Sequence, residues 1–93
     1  MEIILDGRDW RTEADFIESV IAGVDGPSWH GRNYNALRDS FVGGSINGIE
    51  PPYDFIIQPP FAPTSEVAEA IRYFMERISD WRSEGAQLSA RLA

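Results

Sequence analysis

Short apolar runs alternate along this sequence with longer segments that have helical spacing. The runs Glu2 to Leu5, Tyr53 to Ile57 and Ala86 to Leu92 are typical of strands, and apolar residues at helical intervals occupy the segments between them. Strands that are separated by helices usually pair in parallel, because a crossover helix returns the chain to the same end of the sheet. The sequence therefore predicts the α/β class, with a small three-stranded parallel sheet packed against three to four helices.

Three helical segments have recognisable ends. Their candidate N-caps are Thr12, Asn33 and either Thr64 or Ser65, and the glycines expected to end them are Gly23, the pair Gly43-Gly44, and Gly85. The first strand is rich in Ile and Leu and is expected to be buried. The last strand is expected to bury one face, which carries Leu88, Ala90 and Leu92.

The length of the chain limits the number of cores it can form. Its 93 residues fall below the roughly 100–200 that are usual for one domain, so a second core is not expected. The 43% hydrophobic share is nevertheless typical of a folded protein. We expect a single domain over residues 1–93.

The charge balance restricts the possible partners. Fifteen acidic residues stand against eight cations, all of them arginine, which gives a net charge of −7. Because nucleic-acid phosphates repel such a chain, a basic protein is a more natural partner than DNA or RNA. The absence of cysteine favours the cytoplasm, and neither a signal-peptide pattern nor an apolar stretch of membrane-spanning length is present, so no membrane partner is expected.

The sequence contains little from which to build a catalytic centre. His30 is the only histidine, there is no cysteine, and the motifs of nucleophile elbows, phosphate loops and zinc helices are missing. The carboxylates are spread singly, which is unlike the tight spacing of an acidic metal site. We expect no enzyme, and no metal or cofactor.

Two aromatic side chains stand in a segment of loop composition, Asp25 to Gly31. Trp29 either packs onto the following helix as a hydrophobic staple or serves as an anchor in an interface. His30 is either a hydrogen-bonded loop residue or a functional one. The sequence alone leaves both alternatives open.

The second helix presents a polar face. At about 100° per residue, Asn35 and Asp39 lie opposite the apolar stripe, with Arg38 and Val42 beside them. Asp39 is either one solvated carboxylate among many or a binding group. The short side chains of this face and the Gly43-Gly44 stop favour the approach of a partner.

The segment Pro27 to Asp39 resembles the hallmark of the barstar family of ribonuclease inhibitors. The residues that match in register are Gly31, Asn33, Ala36, Leu37 and Asp39. The order of helices and strands also agrees with that family, and Asp80 and Glu84 are similar to its acidic positions at the end of the last helix.

The resemblance implies a cytoplasmic inhibitor that binds a secreted ribonuclease one to one and occludes its active site. Asp39 would then take the place of an RNA phosphate, Trp29 would be the aromatic anchor, and Asp80 would be a second acid. The full set of partner-binding residues expected on this basis is Trp29, His30, Gly31, Asn33, Asn35, Arg38, Asp39, Val42, Gly43, Gly44 and Asp80.

The chain also departs from the family pattern. Asn35 stands where barstars have an aspartate, Gly44 stands where they have an interface tryptophan, and Val42 replaces a hydroxyl residue. Arg32 and Arg38 add two cations, and the turn after the second helix is longer. These differences favour a changed target, and they leave open the alternative of a barstar-fold regulatory or assembly module that binds a protein other than a nuclease.

Overall fold

The computed structural model describes all 93 residues. It contains three strands and three helices, in the order β1 (Glu2–Asp6), α1 (Glu13–Gly23), α2 (Tyr34–Gly43), β2 (Tyr53–Gln58), α3 (Ser65–Ser83) and β3 (Leu88–Leu92). The strands form one parallel sheet in the order β1-β2-β3. The α/β class and the parallel sheet predicted from the sequence are confirmed, with three helices.

The helices begin where the sequence indicates. Thr12 caps α1 in a capping box with Asp15, Asn33 caps α2, and Thr64 rather than Ser65 caps α3. Asp15 accepts hydrogen bonds from the backbone N–H groups of Arg11 and Thr12, which hold the pKa of its carboxyl below the ordinary value. Local side-chain chemistry therefore fixes the three helix starts.

The core lies between the helices and one face of the sheet. Its centre is Phe74 of α3, whose ring lies 5.2 Å from that of Phe16 and 5.6 Å from that of Phe55. Phe41 of α2 contacts the same cluster through Phe55 and Trp81. Aromatic pairs at these separations add to the apolar burial, so this cluster holds α2 firmly against the sheet.

The outer strands are less buried than the sequence predicts. In β1, Ile3 and Leu5 are buried but Ile4 is 60% exposed, so the expected burial of the first strand holds for only one of its faces. Leu92 of β3 is also exposed, although it was expected on a buried face. Ile4 lies on the sheet face opposite to Ile3 and Leu5, and the core cluster contains no residue of that face. Leu92 lies on the same face as Leu88, but it is the last residue of the edge strand β3.

Candidate partner-binding face

The loop before α2 is anchored by a buried histidine. His30 is only 4% exposed. Its Nδ1 lies 2.8 Å from the Gly31 carbonyl, which can only accept, so Nδ1 carries a proton and donates. Its Nε2 lies 3.0 Å from Oγ of Ser40, whose hydroxyl is also within 3.1 Å of the Leu37 carbonyl. His30 therefore fastens the loop onto α2.

The His30 side chain presents almost no surface in the free protein, and its contact with a partner stays a prediction. The hydrogen-bonded loop histidine, which was one of the two alternatives left by the sequence, is the one observed. Arg32 strengthens the same loop by donating to the His30 carbonyl and to Glu18 of α1. The Arg32 guanidinium is therefore hydrogen-bonded within the protein, at the edge of the candidate face.

Gly31 and Asn33 set the start of α2. Asn33 accepts a hydrogen bond of 2.8 Å from the N–H of Ala36, which satisfies one of the free donors at the helix end. A Cβ at position 31 would lie 2.8 Å from the Cβ of Ala36, so only glycine fits without a shift. Gly31 and Asn33 therefore affect the expected site by fixing the backbone at the start of α2.

Trp29 and Asp39 are both displayed by this arrangement. Trp29 is 74% exposed, and the side chain of Asp39 is 72% exposed. They line one shallow cleft of about 170 Å³ together with His30, Gly31, Ala36 and Ile46. Trp29 does not pack as a buried staple, so the cleft joins an aromatic surface to a carboxylate. We call it the Trp29 cleft.

A second cleft lies between α2 and α3. It has a volume of about 210 Å³ and brings together Asn35 and Arg38 of α2 with Asp80 of α3 and with Glu84, which caps that helix. Its other lining residues are Tyr34, Tyr73, Arg77 and Trp81. We call it the interhelix cleft. Three expected contact residues, Asn35, Arg38 and Asp80, therefore share one surface depression.

The charges of the interhelix cleft are largely paired within the protein. Arg38 donates to both carboxylate oxygens of Glu84, and its Nη1 lies 3.6 Å from Oδ1 of Asp39. These hydrogen bonds hold the pKa of Glu84 below its ordinary value. Arg77 pairs with Asp80 at 2.9 Å and lies over the ring of Tyr73. The region thus offers both signs of charge.

The C-terminal end of α2 completes the face. Val42 is half-buried and packs against the core, which corrects its expected place on the outward surface. Gly43 is exposed and ends the helix, and Gly44 caps it with φ of 74°. Since neither glycine has a side chain, the backbone itself is the surface here.

Seven residues that line the two clefts were not in the expected contact set: Tyr34, Ala36, Ile46, Tyr73, Arg77, Trp81 and Glu84. Ile46 is an apolar residue in a glycine-rich polar turn, and this isolation was a usable signal. Tyr73, Arg77 and Trp81 recur every four residues along α3, so they lie on one helix face with Asp80. Only the packing of α3 beside α2 brings that face next to Asn35 and Arg38.

Neither a metal centre nor a membrane-spanning helix is found. No three side chains of the kinds that bind metal ions come together, and none of the three helices combines the length and apolarity needed to cross a bilayer. The candidate site is therefore the face that the loop before α2 and α2 itself form together.

The fold and this face define a small α/β protein that presents an aromatic loop and a carboxylate-bearing helix. The profile of the barstar family, described as barstar (barnase inhibitor), matches residues 1–93, and the chain belongs to the barstar family. A search of curated proteins finds no match. Members of the family are inhibitors that bind a ribonuclease.

Proposed function

We propose that this protein inhibits a microbial ribonuclease or a related nuclease-type toxin by binding it one to one and covering its active site. The observation that carries the proposal is the Trp29 cleft, in which an exposed indole and the exposed carboxylate of Asp39 stand side by side. A carboxylate can take the place of an RNA phosphate and pair with the cations that a nuclease uses to bind it. Membership of the barstar family supports this assignment.

The net charge supports the same partner. At −7, the chain attracts a basic enzyme over a distance of about one Debye length, ~10 Å at moderate salt, and so speeds the encounter. Close recognition then depends on Asp39, on hydrogen bonding by Asn35 and on the indole of Trp29. We place this activity in the cytoplasm, which agrees with a chain that has no cysteine.

The decisive experiment is rescue of cells that express a candidate toxin, starting with any nuclease encoded beside this protein. The purified chain is then mixed with that nuclease and with a panel of microbial ribonucleases, and RNA cleavage and complex size are measured. We expect stoichiometric inhibition and a one-to-one complex. If the chain neither binds nor inhibits any of these enzymes and gives no rescue, the proposal is wrong.

A second candidate function follows from the paired charges of the interhelix cleft. Arg38 and Arg77 line this cleft, and their positive charges would partly repel an active site that carries only cations. A regulatory or assembly module that binds a non-nuclease protein of mixed charge fits this feature. A metabolic or regulatory operon around the gene, together with a stable complex that leaves RNA cleavage unchanged, would support this second function over the first.

A further inference from the structure

An open polar cleft of about 480 Å³ lies beside the C-terminal end of α2. It is lined by residues of the 44–51 turn, by Tyr53 and by Gln87. It shares no lining residue with the Trp29 cleft or the interhelix cleft, but Gly44 is both an expected contact residue and part of its wall. We call it the turn cleft. Its position makes it an extension of the binding face.

The backbone keeps this cleft open. Gly44 has φ of 74° and ψ of 176°, a conformation that is essentially restricted to glycine. A Cβ at Gly44 would find no atom within 4 Å, so the space beside it is empty of protein. Ser45 follows with φ of 65°, also in the left-handed region. The chain thus turns sharply here and leaves a space that its own side chains do not fill.

The lining of the turn cleft favours a cation. Glu50 is the only charged residue that lines it. The last turn of α2 contains no basic residue, and the carbonyl groups of Phe41, Val42 and Gly43 accept no hydrogen bond from the protein. Free carbonyls at a helix C-terminus carry partial negative charge, which attracts cations. Glu50 lines the cleft, and so does Gly44, the residue that caps this helix end, so both the carboxylate and the nearby helix end favour a cation.

Asn47 is one of the residues that line this cleft, and its side-chain amide lies beside Gly26. Its Oδ1 and Nδ2 are shielded from water and have no hydrogen-bond partner in the protein. Ser45 and Gln87 supply further acceptor oxygens along the wall. The turn cleft therefore contains several acceptors and no cation of its own.

We propose that the turn cleft receives an arginine side chain of the protein that binds the face, an inference that rests on the proposed function. A guanidinium is preferred to an ammonium because its five donors can reach Glu50 and neighbouring carbonyl and amide oxygens together. Gly44 leaves open space in the wall of this cleft, which can therefore receive a side chain that protrudes from the partner. The partner's contact surface carries an arginine at this point.

The test uses the whole isotope-labelled protein and two small probes, N-acetyl-arginine amide and its neutral isostere N-acetyl-citrulline amide. Each is titrated while backbone amide shifts are recorded by NMR. We expect the arginine probe to cause saturable shifts in the 44–51 turn and at Gln87, and the citrulline probe to bind at least about fivefold more weakly, as loss of one charged contact implies. Glu50→Gln should weaken the arginine probe similarly, whereas Asp9→Asn, which removes one charge elsewhere, should not.

Equal binding of both probes, shifts confined to other surfaces, or an unchanged affinity in Glu50→Gln would overturn the assignment. These measurements need no partner, so their failure leaves the inhibition assays unaffected. When a partner is in hand, Gln87→Trp should block the cleft and weaken the complex. A complex of unchanged affinity in Gln87→Trp, with the variant shown to be folded, would also contradict insertion of a side chain.

Discussion

The guanidinium of Arg38 on α2 donates from Nε and Nη2 to the two carboxylate oxygens of Glu84, the residue that caps the end of α3. Two parallel hydrogen bonds between a planar guanidinium and a carboxylate fix the orientation of the two groups as well as their distance. The pair joins the two helices that form the interhelix cleft. The same guanidinium lies 3.6 Å from the carboxylate of Asp39, whose side chain is exposed.

This ion pair predicts a specific pH dependence. Arg38 lowers the pKa of Glu84 in the folded state, so the pair stabilises the protein above the unfolded pKa of Glu84, and that stabilisation is lost as the pH falls through the lowered folded value. In Arg38→Gln, we expect the pKa of Glu84 to rise toward its ordinary value, measured by NMR titration of the side-chain carboxyl. Glu69, whose pKa is lowered by Arg72, is the internal control and should not change. An unchanged titration of Glu84 would contradict the pairing.

The proposed role of Asp39 predicts that its substitution affects binding but not stability. Asp39→Ala removes an exposed carboxylate, so the free energy of unfolding should change by less than about 0.5 kcal/mol. Binding to the nuclease should weaken by several kcal/mol, since close charge pairs in the barnase–barstar complex itself couple by about 1.5–7 kcal/mol. Calorimetric titration of the partner measures the loss, and Asp9→Ala is the matched control. A loss below about 1 kcal/mol in Asp39→Ala would exclude the phosphate-mimic role.

His30 and Trp29 should behave in opposite ways, although they are adjacent. His30→Ala leaves the Gly31 carbonyl without its donor and leaves the Ser40 hydroxyl only the Leu37 carbonyl as a partner, which should lower the free energy of unfolding by about 1–3 kcal/mol. Trp29→Ala removes an exposed indole and should leave stability nearly unchanged while weakening the complex. Urea denaturation and partner binding, measured on both variants, test this contrast. Equal stability of the two variants would show that His30 does not anchor the loop.

The sequence predicted the features that depend on neighbours along the chain. Thr12, Asn33 and Thr64 cap their helices through contacts three residues away, so a local pattern found the first two and narrowed the third to Thr64 or Ser65. Asp39 was placed correctly on an exposed helix face by periodicity alone. The parallel pairing followed from the alternation of strands and helices.

The features that sequence reasoning missed depend on contacts between distant segments. The burial of His30 requires Ser40 to come within hydrogen-bond distance across the loop, and the pairing of Arg38 requires Glu84, which is 46 residues away. The exposure of Ile4 depends on which face of the sheet the helices cover. None of these is encoded by spacing along one element, so only the folded arrangement shows them.

Gly31 and Gly43 provide a matched pair of substitutions at the two ends of the binding segment. In Gly31→Ala, the new methyl group would lie 2.8 Å from the Cβ of Ala36, so the loop or α2 must shift. We expect a loss of about 1–3 kcal/mol in stability, as for other overpacked sites. Gly43→Ala meets no atom within 4 Å at the last residue of α2, so its stability should stay the same or rise by up to about 1 kcal/mol. Thermal unfolding of both variants measures the difference. If Gly31→Ala were as stable as Gly43→Ala, the close contact between Gly31 and Ala36 would not explain the glycine of the family hallmark.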